Sequence, residues 1–248
     1  MKYIKLLLVL VLVPLLNLKG QNESLNWNYP LRPGIKEWEN LATYEEKLKS
    51  YNIPESIIKK MSTSILIETC LNYPEIRLIM TRNSLQEGYN YISSIFNGFA
   101  ELESRLDAGK NLIQVYVSNN PQKIGSFKTN LEKGSYSFNL VYIELILSQP
   151  NVLSNLVKED QIKLIQLSSS YYKNKDLLNN DYSLFSLSAT TLVLGRLLDV
   201  KQDVDFILSK HKNFRLQNFI ELTSPIDKEI MDQIVILATE YLNKLTHE

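Results

Sequence analysis

The sequence is poor in the residues that most often build catalytic and metal centres. It contains one cysteine, Cys70, and two histidines, His211 and His247. A lone cysteine forms no internal disulfide, and these three residues are too few to ligate zinc in any common site. A catalytic thiol also needs a base such as histidine within hydrogen-bond reach, and Cys70 lies on an apolar helix face. We therefore expect no metal, no cofactor and a buried, inert Cys70.

Glycine, proline and net charge are also low. The chain has eight glycines and eight prolines, too few for the turns of an all-β fold. The glycine-rich loops of nucleotide-binding proteins and the Gly-x-Ser-x-Gly sequence of many hydrolases are absent. The 27 basic residues are balanced by 27 acidic ones, which excludes a broad basic surface for nucleic acid. We therefore expect no nucleic acid among the partners.

The one long hydrophobic run lies at the N-terminus. Residues 6–16 are apolar and follow two lysines, as in the core of a signal peptide. The run is too short to cross a membrane, which takes about 20 apolar residues. We predict a signal peptide over residues 1–20, with an uncleaved anchor as the alternative. Cleavage would remove three lysines and no acid, leaving an exported chain of net charge −3 with no membrane span.

Apolar residues recur every three or four positions almost everywhere from residue 37 onward, which is the helical period. Ser84 and Glu87 have the spacing of a capping box, and Asp107 is the predicted cap of a further helix. Ser224 followed by Pro225 predicts the start of a terminal helix. Further helices are predicted over residues 136–148, 158–174 and 183–199, the last of them apolar nearly all round and so the most buried.

Short helices joined by short turns indicate an all-α fold of antiparallel neighbours. The architecture is either an irregular helical bundle or a short α-solenoid of helix hairpins, although no repeat of fixed period occurs. We predict a single all-α domain over residues 37–248. Residues 119–135, which include Pro121, Gly125 and Gly134, are its candidate internal hinge.

Both tryptophans lie close together, just after the predicted cleavage site. Residues 21–36 are polar and aromatic and favour an extended arm that contains Trp27 and Tyr29, with Trp38 directly after it. Aromatic residues in such a segment pack either on the domain's own core or against a partner. Trp27, Tyr29 and Trp38 are therefore the candidate binding residues, and both outcomes stay open.

Three charged clusters are candidates for a catalytic or ion-binding site. Glu101, Glu103 and Asp107 could supply paired carboxylates for hydrolysis if two of them faced one cleft, although acids on helices are usually solvated. The aspartates at 199–205 lack the glycine and closing glutamate of a calcium loop. The basic residues at 210–215 are typical of a solvated helix end.

Four short segments resemble, in order, uncharacterised exported helical proteins of Bacteroidetes bacteria. They lie at residues 29–34 (Tyr-Pro-Leu-Arg-Pro-Gly), 61–63 (Met-Ser-Thr), 69–74 (Thr-Cys-Leu-Asn-Tyr-Pro) and 96–102 (Phe-Asn-Gly-Phe-Ala-Glu-Leu). The resemblance covers residues 29–116 and leaves the C-terminal half unmatched. It implies an all-α fold and an envelope or extracellular location, and it transfers no activity and no site residue.

These observations favour an exported, non-enzymatic helical protein that binds another envelope or extracellular protein, as an interaction or scaffold module. The location would be periplasmic, outer-envelope-associated or secreted. One alternative is an envelope hydrolase or lyase with paired carboxylates in a helical cleft, which requires a deep pocket with two facing acids. Another is a periplasmic small-ligand binder, which requires an enclosed apolar cavity. A broad groove or an exposed apolar patch would instead favour the protein binder.

Overall fold

The computed structural model describes residues 26–223 and 226–247, and this part of the chain contains α-helices and no strand. The predicted all-α fold is confirmed. The predicted signal peptide, the first residues of the arm and the Ser224 and Pro225 helix start lie outside the described residues. The helices are α1 Lys36–Glu39, α2 Tyr44–Ser50, α3 Glu55–Ile58, α4 Thr63–Leu71, α5 Leu85–Ile95, α6 Asn97–Glu103, α7 Ala108–Ser118, α8 Asn130–Leu147, α9 Pro150–Ser154, α10 Lys158–Leu177, α11 Leu184–Val200, α12 Val204–Lys212, α13 Phe214–Leu222 and α14 Lys228–His247.

Helices α5 and α7 begin directly after the N-cap residues predicted for them. The side chain of Ser84 accepts a hydrogen bond from the amide of Glu87 at the start of α5, as predicted. The predicted capping box is incomplete, because among the described residues the Glu87 side chain makes no bond back to the Ser84 amide. Asp107 is the N-cap residue of α7, as predicted, but within residues 26–223 its side chain accepts no capping hydrogen bond from that helix. Its carboxylate instead accepts a hydrogen bond from the hydroxyl of Thr63 on α4, at 2.7 Å. A contact between distant segments has thus replaced a local one.

The helical periodicity that begins at residue 37 is first divided into α1 and α2. Thr43 and Glu46 form a complete capping box that starts a new helix at Tyr44. Short helices α9, α12 and α13 lie between the longer predicted ones. Two 3₁₀ segments, Ile76–Thr81 and Pro121–Ser126, also interrupt the α-helical pattern.

Helix α11 is the centre of the bundle. All 13 residues from 186 to 198 are buried, as its apolar sequence predicts. Helices α8, α10 and α14 pack along α11, and α9, α12 and α13 also contact it. In a solenoid each repeat contacts only its neighbours, whereas here α13 packs on the distant α5. The architecture is therefore an irregular bundle around one central helix.

The predicted hinge over residues 119–135 contains the second 3₁₀ segment and the start of α8. Pro121 and Ile124 are buried, and the carbonyl of Pro121 accepts a hydrogen bond from the hydroxyl of Tyr182 at 2.8 Å. The hydroxyl of Tyr136 donates to the carbonyl of Asn120, also at 2.8 Å. These contacts attach the segment to α8 and to the chain that precedes α11. A hinge at residues 119–135 stays a prediction.

Within the described helices, none combines the length and the apolar character that crossing a membrane requires.

Candidate functional site

The described part of the arm, residues 26–36, packs on the domain's own core. The indole of Trp27 donates to the backbone oxygen of Tyr51, and the indole of Trp38 donates to the hydroxyl of the same residue, each at 3.0 Å. Tyr29 is buried, and its hydroxyl donates to the carbonyl of Thr69 at 2.7 Å. The structure thus places all three candidate residues around one buried tyrosine. A role for them in binding a partner stays a prediction.

An aromatic cluster surrounds the inner end of the arm. The ring of Tyr29 lies 5.9 Å from those of Tyr51 and Phe96, centroid to centroid. Tyr29 also has a backbone φ of +47°, a left-handed conformation that bulky residues rarely adopt.

Nearby Cys70 is fully buried, and this burial raises the pKa of its thiol. The thiol is therefore un-ionised at neutral pH, as an inert structural cysteine would be.

The acids at 101–107 are each engaged by a separate partner. Glu101 forms ion pairs with Lys59 and Arg105, and Glu103 accepts a hydrogen bond from the hydroxyl of Tyr89 at 2.7 Å. Glu55 and Glu101 do line one open cleft of about 430 Å³. Lys59 lines the same cleft and neutralises Glu101, so the arrangement differs from a pair of acids that share a proton.

The charged residues at 199–205 and 210–215 form ion pairs with each other and with α14 and the residue before it. Lys244 donates to both Asp203 and Asp205, at 2.6 and 2.7 Å, and Lys210 pairs with Asp199. Arg215 pairs with acidic residues that precede and begin α14. Over residues 26–223 and 226–247, no three His, Cys, Asp or Glu side chains lie close enough together to hold a metal ion.

A buried ion pair inside the bundle is the most unusual charged group. The ammonium of Lys175 on α10 lies 2.8 Å from both carboxylate oxygens of Glu144 on α8, and both side chains are fully buried. Tyr116 on α7 and Thr190 on α11 each donate to the same carboxylate at 2.7 Å. Burial lowers the pKa of Lys175, while the Glu144 carboxylate opposes that change.

This buried pair joins four helices and is closed to solvent. A general base or nucleophile must reach its substrate, which neither Lys175 nor Glu144 can do in this conformation. The hydrogen bonds from Tyr116 and Thr190 satisfy the carboxylate that burial would otherwise leave uncompensated. The pair therefore fixes the relative positions of α7, α8, α10 and α11.

A second open site is an apolar groove between the first half of α8 and the 3₁₀ segment Ile76–Thr81. We call it the α8 groove, and its volume is about 420 Å³. Buried residues of α8 begin only at Leu140, so the helix before that point has an uncovered face. Leu131 is 80% exposed and Phe138 is 45% exposed. The groove is lined by Arg77, Met80, Asn130, Leu131, Gly134, Ser135, Phe138 and Tyr142.

The lining residues from α8 follow the helical repeat. Leu131, Ser135, Phe138 and Tyr142 are separated by four, three and four positions, which puts them on one face of the helix. Gly134 lies among them, and a Cβ added there would meet no atom within 4 Å. The middle of the groove is therefore open enough to admit the backbone or side chains of another molecule.

Among the described residues that line the α8 groove, Arg77 is the one with a charge. In the described part of the chain, its guanidinium has no ion-pair or hydrogen-bond partner, and the hydroxyl of Tyr142 has none either. The arginine charge acts on Tyr142, where it opposes the rise in pKa that burial causes. The groove thus combines apolar walls with unused donors and no carboxylate.

Sequence reasoning missed this groove. Leu131 and Gly134 lie inside the predicted hinge, and Phe138 and Tyr142 lie in the helix predicted over residues 136–148, with no face assigned to them. Apolar residues at 131, 138 and 142 repeat on one helix face, so the signal was present. What periodicity could not show is that no other element among residues 26–223 and 226–247 covers the first half of this face.

Comparisons with protein-family models, with curated proteins and with solved structures find no match to this chain.

Proposed function

We propose that this protein is a non-enzymatic interaction module that binds a helical segment of a partner protein in the α8 groove. The observation that supports this most directly is the uncovered apolar face of α8, with Leu131 and Phe138 exposed at a concave surface. Single exposed apolar residues are common on proteins and need no explanation. Several that share one groove are typical of interaction sites.

A helix is the partner segment that fits this surface best. Two helices pack against each other through rows of residues that recur every three or four positions, and the open face of α8 presents residues at that spacing. The space above Gly134 allows close approach, because no side chain fills it. A deep pocket with two facing acids would have favoured the enzyme alternative, and an enclosed apolar cavity the small-ligand binder.

We also propose that the protein is exported and that its partner belongs to the cell envelope or its exterior. The basic start followed by an 11-residue apolar run supports this part of the proposal, as does the resemblance to exported helical proteins. Sequencing the N-terminus of the protein isolated from its producing cells tests it. A mature chain that begins near residue 21 is the expected result, and an intact Met1 in a cytoplasmic fraction would contradict it.

The groove is tested by comparing what tagged variants retain from the cells that produce the protein. Leu131→Lys places a charge in the groove, while Leu106→Lys makes the same change at an equally exposed leucine, 79% exposed, outside it. We expect the wild type and the Leu106 variant to retain one envelope or secreted protein in stoichiometric amounts, and the Leu131 variant to lose it. Equal retention by all three would contradict the proposed site.

A further inference from the structure

The unpaired cation in the α8 groove constrains the charge of what binds there. Arg77 lies at the wall of an apolar groove, and within the described residues neither an acid nor a carbonyl engages it. Asn130 and Ser135 line the same groove with their polar side chains equally unengaged. The groove therefore offers several hydrogen-bond donors and one positive charge.

Covering this arginine with an apolar surface would be unfavourable. A guanidinium that loses water without gaining an acceptor has an uncompensated desolvation cost. A carboxylate removes that cost, because it accepts two parallel hydrogen bonds from a guanidinium in a geometry that matches its planar fork. The Tyr142 hydroxyl, which lines the groove beside Arg77, can donate to the same carboxylate.

We infer that the partner helix has an aspartate or glutamate beside its apolar stripe, and that Arg77 and the Tyr142 hydroxyl bind this carboxylate. The inference rests on the proposed function, since it names the chemistry of the helix that the α8 groove would take. Leu131, Phe138 and Met80 contact the apolar stripe, and the carboxylate lies at its edge. A basic residue at that edge would be repelled by Arg77.

A displayed library of amphipathic helices tests this. Each member has a fixed leucine stripe, is about 18 residues long so that the helix forms, and varies at the positions that flank the stripe. The full-length wild-type protein is the bait, and Leu131→Lys and Leu106→Lys are parallel baits. We expect the wild type and the Leu106 variant to enrich the same helices, with Asp or Glu favoured over Lys, Arg and their amides at one flanking position.

One selected helix is then measured against its Glu→Gln counterpart. We expect the acidic form to bind about tenfold more tightly, the typical gain from a charge-assisted hydrogen bond, and this advantage to shrink at high salt. In an Arg77→Gln protein the two peptides should bind alike. Arg77→Gln changes an exposed residue, so its folding is checked by its melting temperature.

The outcomes separate the inference from the proposed function. Helices that depend on Leu131 but show no preference for acids would overturn the inference and leave the α8 groove as the binding site. An acidic preference that persists in Arg77→Gln would also overturn it. If no helix is enriched by the wild type over the Leu131 variant, the proposed function fails and the inference fails with it.

Discussion

At the scale of single residues, two glycines on neighbouring helices show how differently the same residue type can be used. A Cβ at Gly88 would lie 2.1 Å from the carbonyl oxygen of Ile79, so glycine allows α5 to lie directly on the first 3₁₀ segment. A Cβ at Gly134 on α8 would meet nothing within 4 Å. Glycine is required at position 88, because a side chain there would clash with Ile79. At position 134 there is room for a side chain, so glycine only lowers the stability of the helix.

Alanine substitutions at these glycines should therefore change stability in opposite directions. Gly88→Ala forces a side chain against backbone that cannot move aside, which we expect to destabilise the protein by about 1–3 kcal/mol. Gly134→Ala should stabilise it by about 0.5–1 kcal/mol, because alanine is the better helix former. Urea unfolding of each variant measures both changes. Equal stability of Gly88→Ala and the wild type would show that α5 does not approach Ile79 this closely.

At the scale of helices, the buried Lys175 and Glu144 pair joins elements that local sequence does not connect. Removing one partner leaves the other as an isolated buried charge, which typically costs about 3–5 kcal/mol. We expect Lys175→Met to destabilise the protein by that amount. Lys228→Met, which breaks exposed pairs with Asp232 and Asp176, should change stability by about 1 kcal/mol or less.

A second variant separates the pair from the packing around it. Lys175→Met combined with Glu144→Leu removes both charges, and we expect it to recover much of the lost stability. The double-mutant cycle is measured by chemical denaturation. If Lys175→Met behaves like Lys228→Met, the lysine is not in the buried position described here.

The arm is the second element-scale feature. Deleting residues 21–36 removes the buried Tyr29 and the hydrogen bond from Trp27 to Tyr51. We expect a loss of about 3–5 kcal/mol, the usual effect of removing a buried aromatic side chain, and a lower melting temperature. Differential scanning calorimetry of the two forms measures this. An unchanged melting temperature would show that the arm does not pack on the domain and is available to a partner.

The element scale also shows what the sequence could and could not predict. The repeats in α5, α10 and α11 are long enough to identify these helices, and the unbroken apolar character of α11 predicted its central position. The short helices α12 and α13 were missed because few turns leave little periodicity to detect. The contact of the Asp107 side chain with Thr63, in place of a capping bond, and the missed groove have one cause, since both depend on which distant element packs there. The residues around Lys175 likewise do not indicate that this lysine is buried, because its burial depends on helices distant in sequence.

At the scale of the whole molecule, buried tyrosines make stability dependent on alkaline pH. Burial raises the pKa of Tyr136, Tyr171 and Tyr172 to about 12, above the value of 10.0 that an unperturbed tyrosine has. The unfolded chain therefore ionises at lower pH than the folded one. The stability that these phenols provide is fully present below pH 10 and is lost as pH rises toward 12.

The free energy of unfolding should accordingly fall steeply above pH 10. Urea unfolding at a series of pH values measures this fall, and tyrosinate absorbance followed alongside circular dichroism shows whether ionisation and unfolding coincide. Tyrosines that all titrate near pH 10 while the helix content is retained would show that their hydroxyls are exposed. That result would be inconsistent with the packing around α8 and α10.

The proposed function also belongs to the whole molecule, because the α8 groove is formed by segments distant in sequence. A photo-crosslinking amino acid placed at position 138, inside the groove, tests it directly in the cells that produce the protein, with position 106 as the matched control outside it. We predict crosslinks from position 138 to a helical segment of one envelope or secreted protein, and none from position 106. Crosslinks from neither position, or the same proteins from both, would contradict the account.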